Sequence, residues 1–213
     1  RHGARLGIDT TIFMPVGTPN VKVNATRALG ARVELAGADF DEAKDEAMHI
    51  AATLPLFPVP PFHRELVRGV ATYGLELFRA HPDLERVYVP IGCGSGICGV
   101  ITARDALGLK TKIYGVVADG APAYAHSFEA GHVVPSNRAD TMADGMACRS
   151  PVADAVATIC AGAEDVVIVT DPEIEEAMRI YYTDTHNLAE GAGAAPLAAL
   201  LKNKERHAGG KAG

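Results

Sequence analysis

Four glycines follow a run of strand-forming residues within a few positions of one another: Gly92, Gly94, Gly96 and Gly99. Glycine lets the backbone bend sharply and bring its N–H groups close to a ligand. A helix that begins near Ile97 would add unpaired N–H groups and the positive end of its dipole. Residues 92–96, called the glycine turn below, therefore predict a seat for an anion, which we interpret as the phosphate of a ligand.

The glycine turn needs a strand before it and a helix after it. The run from Arg86 to Gly120 is typical of a strand, the glycine turn, a helix and a second strand. The other elements are predicted as strands at 10–15, 31–36 and 165–170 and helices at 19–29, 39–53, 64–80, 152–161, 172–182 and 191–202. An irregular stretch is expected over 119–150. Strands that alternate with helices predict an α/β fold with parallel sheets and helices on both faces.

A proline-rich segment divides this pattern. Residues 54–62 (LPLFPVPPF) hold four prolines in nine residues, which excludes a helix or a central strand there. The segment is interpreted as a crossover between two domains. Residues 1–53 would then belong to a small α/β domain, and residues 63–213 to a large α/β domain that carries the glycine turn.

Composition limits the partners and the compartment. The chain has 213 residues, a net charge of -6 and a pI near 5.7, so neither nucleic acid nor an anionic membrane surface is the expected partner. No apolar run reaches membrane-spanning length and residues 1–10 carry no secretion signal, so a cytoplasmic protein is predicted. The cysteines lack CxxC spacing and are expected to remain thiols: Cys93, Cys98, Cys148 and Cys160.

Six landmarks spread along the chain resemble the fold-type II pyridoxal-phosphate enzymes, and among them most closely the threonine/serine dehydratase group. In chain order they are Ile12-Phe13-Met14-Pro15 with Lys22 and Gly30-Ala31-Arg32-Val33, Pro61-Phe62, Val89 to Gly96, Gly115 to Ala123, Thr141 to Gly145, and Glu190 to Ala194. Six landmarks in the same order make the match specific. The resemblance implies the same architecture, incomplete at both ends, and pyridoxal 5'-phosphate as the cofactor.

The resemblance also implies roles for single residues. The cofactor phosphate would be held by the glycine turn, that is by Gly92, Cys93, Gly94, Ser95 and Gly96. Gly145 would lie near the pyridine ring, and Glu190 would sit close to that ring as well. The implied reaction is loss of the α-proton and elimination of water from a small hydroxy-amino acid such as threonine or serine, giving a 2-oxo acid and ammonia. A dimer is the expected assembly.

The lysine that forms a Schiff base with the cofactor has no counterpart here. In the resembled family it lies upstream of the segment matched by Arg1 to Gly7, and the residue that faces the pyridine nitrogen would follow Gly213. The resemblance places none of the seven lysines of this chain at the position of the Schiff-base lysine: Lys22, Lys44, Lys110, Lys112, Lys202, Lys204 and Lys211. We therefore expect no catalytic residue within the chain, and no turnover by this chain alone.

Two other interpretations stay open. Gly94 to Gly99 also matches GxGxxG, and Asp119 follows Gly99 by 20 residues, as in a nicotinamide-dependent oxidoreductase. That motif normally opens its domain, whereas about 90 residues precede it here. The third interpretation is a non-catalytic domain kept for dimerisation or ligand sensing.

Thiols and imidazoles near these motifs have plainer interpretations. Cys93 and Cys98 are expected to be small thiols packed against the glycine turn rather than metal ligands or redox groups. Surface or hydrogen-bonding roles are expected for the histidines of the loop regions: His126, His132 and His186.

No metal site is predicted. Related racemases carry a carboxylate early in the segment matched by Gly115 to Ala123, where this chain has Val117. Glu190 has a second interpretation besides the ring contact, as an acid that favours the dipole at the N-terminus of the last helix.

Overall fold

The computed structural model describes residues 1–137, 139–206 and 208–213. The chain divides into two compact units, Arg1–Pro60 and Pro61–Gly213. The division falls inside the proline-rich segment 54–62, where no residue belongs to a helix or a strand, because proline has no N–H to contribute to either.

The first unit contains a two-stranded parallel sheet. Its elements are α1 (His2–Arg5), β1 (Thr11–Met14), α2 (Asn20–Ala28), β2 (Arg32–Leu35) and α3 (Phe40–Thr53). The register of the two strands runs from Thr11 opposite Arg32 to Met14 opposite Leu35. Apart from the short α1, which no pattern predicted, these elements confirm the expected order and lie within one or two residues of the expected bounds.

The second unit carries a three-stranded parallel sheet in the order β3-β4-β5. Its elements are α4 (Arg64–Ala80), β3 (Arg86–Pro90), α5 (Ser95–Ala106), β4 (Lys112–Ala118), α6 (Ala123–Ala130), a 3-10 turn (Asp144–Met146), α7 (Ala153–Gly162), β5 (Asp165–Val169), α8 (Asp171–Thr185) and α9 (Gly191–Lys202). Within the described ranges, no helix combines the length and the apolar character that crossing a bilayer requires.

The free edge of β3 is paired with the last residues of the chain. A parallel bridge joins Arg86 to Ala212, and the Tyr88 N–H donates to the Gly213 carbonyl at 2.9 Å.

Helices cover both faces of the larger sheet. Along β3, Val87 and Val89 pack into one apolar cluster and Tyr88 into the other. The first cluster contains side chains of α4, α5, α6 and α7, whereas the second contains side chains of α8 and α9. On the second face Tyr88 stacks on Tyr114 of β4, with ring centroids 5.0 Å apart. The expected α/β class, with parallel strands and helices on both faces, is therefore confirmed.

Helix α5 begins at Ser95, two residues before the expected start near Ile97, because the left-handed Gly94 makes the turn into the helix. One expectation about this unit was wrong: the stretch 119–150 is not irregular throughout, since it contains α6 and the 3-10 turn. Most of the first five residues of α6 are buried, so this helix lacks the one-sided apolar pattern from which helices are predicted.

Candidate functional site

The glycine turn leaves the sheet at the carboxyl end of β3. The Ile91 N–H still donates to Val116 of β4 at 2.8 Å, so the turn starts from a position fixed by the sheet. Gly94 then adopts a φ of +92° and becomes the residue that precedes α5. Residues with a β-carbon disfavour this left-handed conformation, so glycine is needed at this position.

Helix α5 begins with four backbone donors that have no intrahelical partner. The first helical hydrogen bond runs from the Cys98 N–H to the Gly94 carbonyl at 3.1 Å, which leaves the N–H groups of residues 94–97 ahead of it. No side chain in the described part of the chain caps this helix, whereas Thr170 and Glu173 form a full capping box on α8. The donors and the helix dipole make this end suitable for an anion.

The structure brings together candidate residues from three separate segments. A β-carbon on Gly92 would clash with the carbonyl oxygen of Gly145. A β-carbon on Gly145 would in turn lie 3.0 Å from that of Ala192 and 3.6 Å from Glu190 Oε1. Gly145 therefore neighbours both Gly92 and Glu190, and Glu190 is also the residue that precedes α9, so both of its expected roles are compatible with its position.

Asp171 anchors the loop that carries Gly145, and no sequence pattern singled it out. Its carboxylate accepts the Thr141 hydroxyl at 2.5 Å and the Met142 N–H at 2.9 Å. The Thr141 hydroxyl in turn accepts the Ala143 N–H at 3.1 Å. Its partners lie in a loop about 30 residues earlier in the chain, which no local pattern could indicate.

Two tyrosine hydroxyls hold carbonyl groups of the glycine turn. Tyr124 of α6 donates to the Cys93 carbonyl at 2.8 Å and accepts the Val152 N–H at 3.1 Å. Tyr73 of α4 donates to the Gly96 carbonyl at 3.2 Å. Burial raises the pKa of both phenols above the ordinary value for tyrosine, because a phenolate would lose its hydration there. Both hydroxyls therefore stay protonated and able to donate at neutral pH.

The cysteines near the turn are thiols. Cys98 is fully buried, and burial raises its pKa to about 11, so the reactive thiolate is scarce at neutral pH. Its thiol lies 3.8 Å from the Ala155 carbonyl. Cys93 is half-buried within the turn itself. All four cysteines are unbridged, and the expectation that Cys98 packs against the turn as a small apolar group is confirmed.

Comparison with known proteins identifies the family. The pattern that defines the family described as "Pyridoxal-phosphate dependent enzyme" matches residues 1–212. The chain belongs to this family. That membership confirms the resemblance and the fold type predicted from the six landmarks.

The similar proteins are threonine ammonia-lyases and dehydratases. The chain is 39% identical to "L-threonine ammonia-lyase" of Geobacter sulfurreducens over 207 residues, which cover 97% of this chain and 52% of that protein. It is 35% identical to the biosynthetic L-threonine dehydratase of Salmonella typhimurium over 206 residues, covering 96% and 40%. The processed form of threonine deaminase isoform 2 from Solanum lycopersicum superposes with a TM-score of 0.90 at 32% identity, covering 99% and 62%. The chain thus spans about half the length of the relatives it matches.

The glycine turn fits the phosphate of the family's cofactor. Its four N–H donors suit the oxygens of a phosphate group, and the missing side chain at Gly94 lets the turn pack against Ala155 and Tyr124. The turn needs no lysine or arginine for this purpose, since the helix end supplies the positive potential. The donor set is therefore appropriate for a pyridoxal-phosphate-dependent enzyme.

The family match does not support the nicotinamide interpretation. In the structure, the last glycine of GxGxxG serves the packing of two helices. A β-carbon on Gly99, the last glycine of GxGxxG, would lie 3.0 Å from the Ala71 backbone nitrogen. Gly99 therefore allows α5 to approach α4, whereas in the nicotinamide motif this glycine packs a helix on a strand. Asp119 is exposed after β4, and its N–H donates to Val169 of β5 at 2.9 Å.

The structure also places the remaining candidate residues. Lys112 begins β4, at the edge of the sheet opposite the glycine turn, and its Nζ is 2.7 Å from Glu164. Val117 is fully buried in β4. Across the described ranges, no three His, Cys, Asp or Glu side chains are grouped in a way that could hold a metal ion. The three histidines are exposed: His126, His132 and His186.

Proposed function

We propose that the glycine turn binds the phosphate of pyridoxal 5'-phosphate. The observation that carries this proposal is the group of four uncapped N–H donors of residues 94–97, which begins at the left-handed Gly94 after the carboxyl end of β3. Cys93, Ser95 and Gly96 complete the seat through their backbone groups. The proposal agrees with membership in the pyridoxal-phosphate-dependent family.

Gly145 and Glu190 are proposed to border the rest of the cofactor. Gly145 contacts Gly92, and Glu190 lies beside Gly145, so a phosphate bound at the turn would leave the ring near them. Glu190 is exposed and precedes α9. Gly145 has no side chain that could occupy the space the ring would need.

We further propose that the protein is a lyase that converts a small hydroxy-amino acid, threonine or serine, into a 2-oxo acid and ammonia. Support comes from the relatives, which are named threonine ammonia-lyases and dehydratases. When bound, pyridoxal phosphate supplies an electron sink for loss of the α-proton and elimination of the β-hydroxyl group. Within this chain the glycine turn would bind and orient the cofactor, and the residues near Gly145 would line its surroundings.

Titration of the purified apoprotein with pyridoxal phosphate and with pyridoxal, which lacks the phosphate, tests the seat. The wild-type protein should bind pyridoxal phosphate much more tightly. The Gly94→Ala variant should lose most of this preference, because its β-carbon would meet Ala155 and the Tyr124 hydroxyl and displace the turn. Gly131→Ala, at another glycine with positive φ and open surroundings, is the control. Equal affinity of wild type for the two compounds would contradict the phosphate seat.

Release of ammonia and a 2-oxo acid from threonine and from serine tests the reaction. This chain alone is expected to release no ammonia, because none of its lysines matches the one that forms the Schiff base. Turnover that depends on added pyridoxal phosphate is expected of a longer form that also carries such a lysine. If that form bound the cofactor tightly and released no ammonia from either amino acid, the result would contradict the lyase and favour a ligand-sensing role.

Finally, we propose that the protein works as a dimer in the cytoplasm. Its four cysteines are thiols, which suits a reducing compartment, and the dimer follows from the resemblance to the dehydratase group. Light scattering on the purified protein measures the mass of the assembly, and a monomer would contradict the second part of this proposal.

A further inference from the structure

We infer that Tyr73 and Tyr124 are positioning residues of the phosphate seat. Their hydroxyl groups bind two carbonyl groups of the glycine turn and so orient the N–H groups of Ile97 and Gly94 for an anion. This inference rests on the proposed binding of the cofactor phosphate. It assigns a role in cofactor binding to two side chains that do not themselves touch the phosphate.

Tyr124 fixes the peptide group between Cys93 and Gly94. A trans peptide is planar, with its C=O and N–H on opposite sides. The hydroxyl binds the Cys93 carbonyl at 2.8 Å, and it lies on the side of the turn where a β-carbon on Gly94 would approach it to 3.1 Å. The Gly94 N–H therefore points away from Tyr124 and from the buried side of the turn, which is the direction that a bound anion requires.

The hydroxyl of Tyr124 has little freedom to turn away. It donates to Cys93 and at the same time accepts the Val152 N–H, which precedes α7. The Tyr124 side chain is fully buried, and burial raises its pKa. With one donor and one acceptor contact in place, the hydroxyl proton is directed at the Cys93 carbonyl.

Tyr73 acts on the last of the four donors, the Ile97 N–H. Its hydroxyl binds the Gly96 carbonyl at 3.2 Å, which belongs to the same peptide group as the Ile97 N–H. A hydrogen bond to a carbonyl polarises the whole peptide group and makes its N–H a better donor. The position of Tyr73 is itself set by the close packing of α4 on α5, where a β-carbon on Gly74 would lie 3.0 Å from that of Ala103.

The glycine turn needs anchors of this kind because it has few side chains of its own. Glycine permits the turn but also leaves the backbone free to move. A preorganised set of donors binds an anion more tightly than a mobile set, since less freedom is lost on binding. The two phenols supply the restraint from α4 and α6, which are parts of the packed core.

Phenylalanine substitutions test the inference, because they remove one hydroxyl and keep the ring. For Tyr73→Phe and Tyr124→Phe we expect the affinity of the apoprotein for pyridoxal phosphate to fall by roughly three- to tenfold each. The affinity for pyridoxal should stay unchanged, because pyridoxal has no phosphate. Tyr182→Phe, at a tyrosine exposed on α8, is the matched control and should leave both affinities unchanged.

The outcomes separate this inference from the proposed function. If wild type prefers pyridoxal phosphate and both variants keep the full preference, the phosphate seat stands and the inference is wrong. An equal loss of affinity for both compounds would show a general structural role and would also overturn it. If wild type shows no preference, the phosphate seat itself fails. Should the buried Tyr124→Phe variant not fold, Tyr73→Phe alone decides, since Tyr73 is 45% exposed.

A spectroscopic measurement checks the direction of the effect. Phosphorus NMR of pyridoxal phosphate bound to the protein reports the hydrogen bonds that the phosphate accepts. Its resonance should shift in Tyr73→Phe and not in Tyr182→Phe. An unchanged resonance in Tyr73→Phe would mean that the donors keep their arrangement without the hydroxyl, which would overturn the inference for that residue.

Discussion

The carbonyl oxygen of Gly145 lies so close to Gly92 that a β-carbon on Gly92 would clash with it. The two residues belong to distant parts of the chain, one after β3 and the other in the 3-10 turn before α7. Because no side chain separates them, the loop of residues 141–145 closes directly on the glycine turn. A single added methyl group at this point must move one of the two backbones.

Gly92→Ala should therefore lower both the free energy of unfolding and the affinity for pyridoxal phosphate. Overpacking against a backbone atom costs about 1–3 kcal/mol, and displacement of the turn misplaces its donors. Chemical denaturation and cofactor titration measure the two effects. Gly69→Ala, in α4 with open space around it, is the control and should be neutral or slightly stabilising. A variant as stable as wild type would mean that the two segments are not in contact.

Asp171→Ala should release the loop that carries Gly145. The change removes the acceptor for the Thr141 hydroxyl and the Met142 N–H, and hydrogen bonds to a charged group contribute about 1.5–3 kcal/mol. We expect a loss of that order in the free energy of unfolding, with weaker binding of pyridoxal phosphate. Asp154→Ala, an exposed acid in the first turn of α7, is the matched control. Equal effects of the two substitutions would show that only the helix dipole is involved.

Cys98 makes part of the stability depend on pH. Burial raises its pKa from 9.0 to about 11, so the unfolded chain releases this proton at lower pH than the folded protein does. The contribution of the protonated Cys98 thiol to the free energy of unfolding is therefore fully present below pH 9 and is lost as the pH rises toward 11. This contribution amounts to about 3 kcal/mol at most. Denaturation of wild type and Cys98→Ala across this range should show the stability of wild type falling more steeply. Parallel curves would contradict the assignment.

Gly99→Val should separate α4 from α5. The added side chain would meet the Ala71 backbone, whose nitrogen would lie 3.0 Å from the β-carbon, and such overpacking costs about 1–3 kcal/mol. Denaturation should show this loss, whereas Gly69→Val on the exposed side of α4 should cost less than about 1 kcal/mol. No loss of stability in Gly99→Val would contradict the packing role given to the third glycine of the motif.

Much of the secondary structure could be read from the sequence, because each signal was local. Helix α4 was predicted with its observed bounds, Arg64–Ala80, because its apolar residues repeat at helical spacing and the proline-rich segment ends just before it. Helix α6 was missed because it is short and four of its first five residues are buried, so only His126 and Glu129 mark a polar side. Pro122 and Gly131 bound this helix, but a proline and a glycine indicate helix ends only where a helix is already expected.

The anchors of the candidate site could not be read from the sequence. Tyr73 and Tyr124 bind backbone carbonyl groups of the glycine turn. Because every residue has a carbonyl group, the sequence does not show which one a tyrosine will bind. Asp171 is similar, because one of its two partners is a backbone N–H. Hydrogen bonds of this kind depend on distances between segments that are remote in the chain.

The sequence by itself determined the order of strands and helices, the position of the glycine turn and the family, because glycine at residues 92, 94 and 96 has a local physical effect and the six landmarks keep their order. Only the tertiary structure decided that Gly145 closes on Gly92, that Glu190 joins them, and that two phenols and a carboxylate hold the loops. Those contacts arise when the parallel sheet brings the carboxyl ends of its strands to one edge, an arrangement that no local pattern can specify.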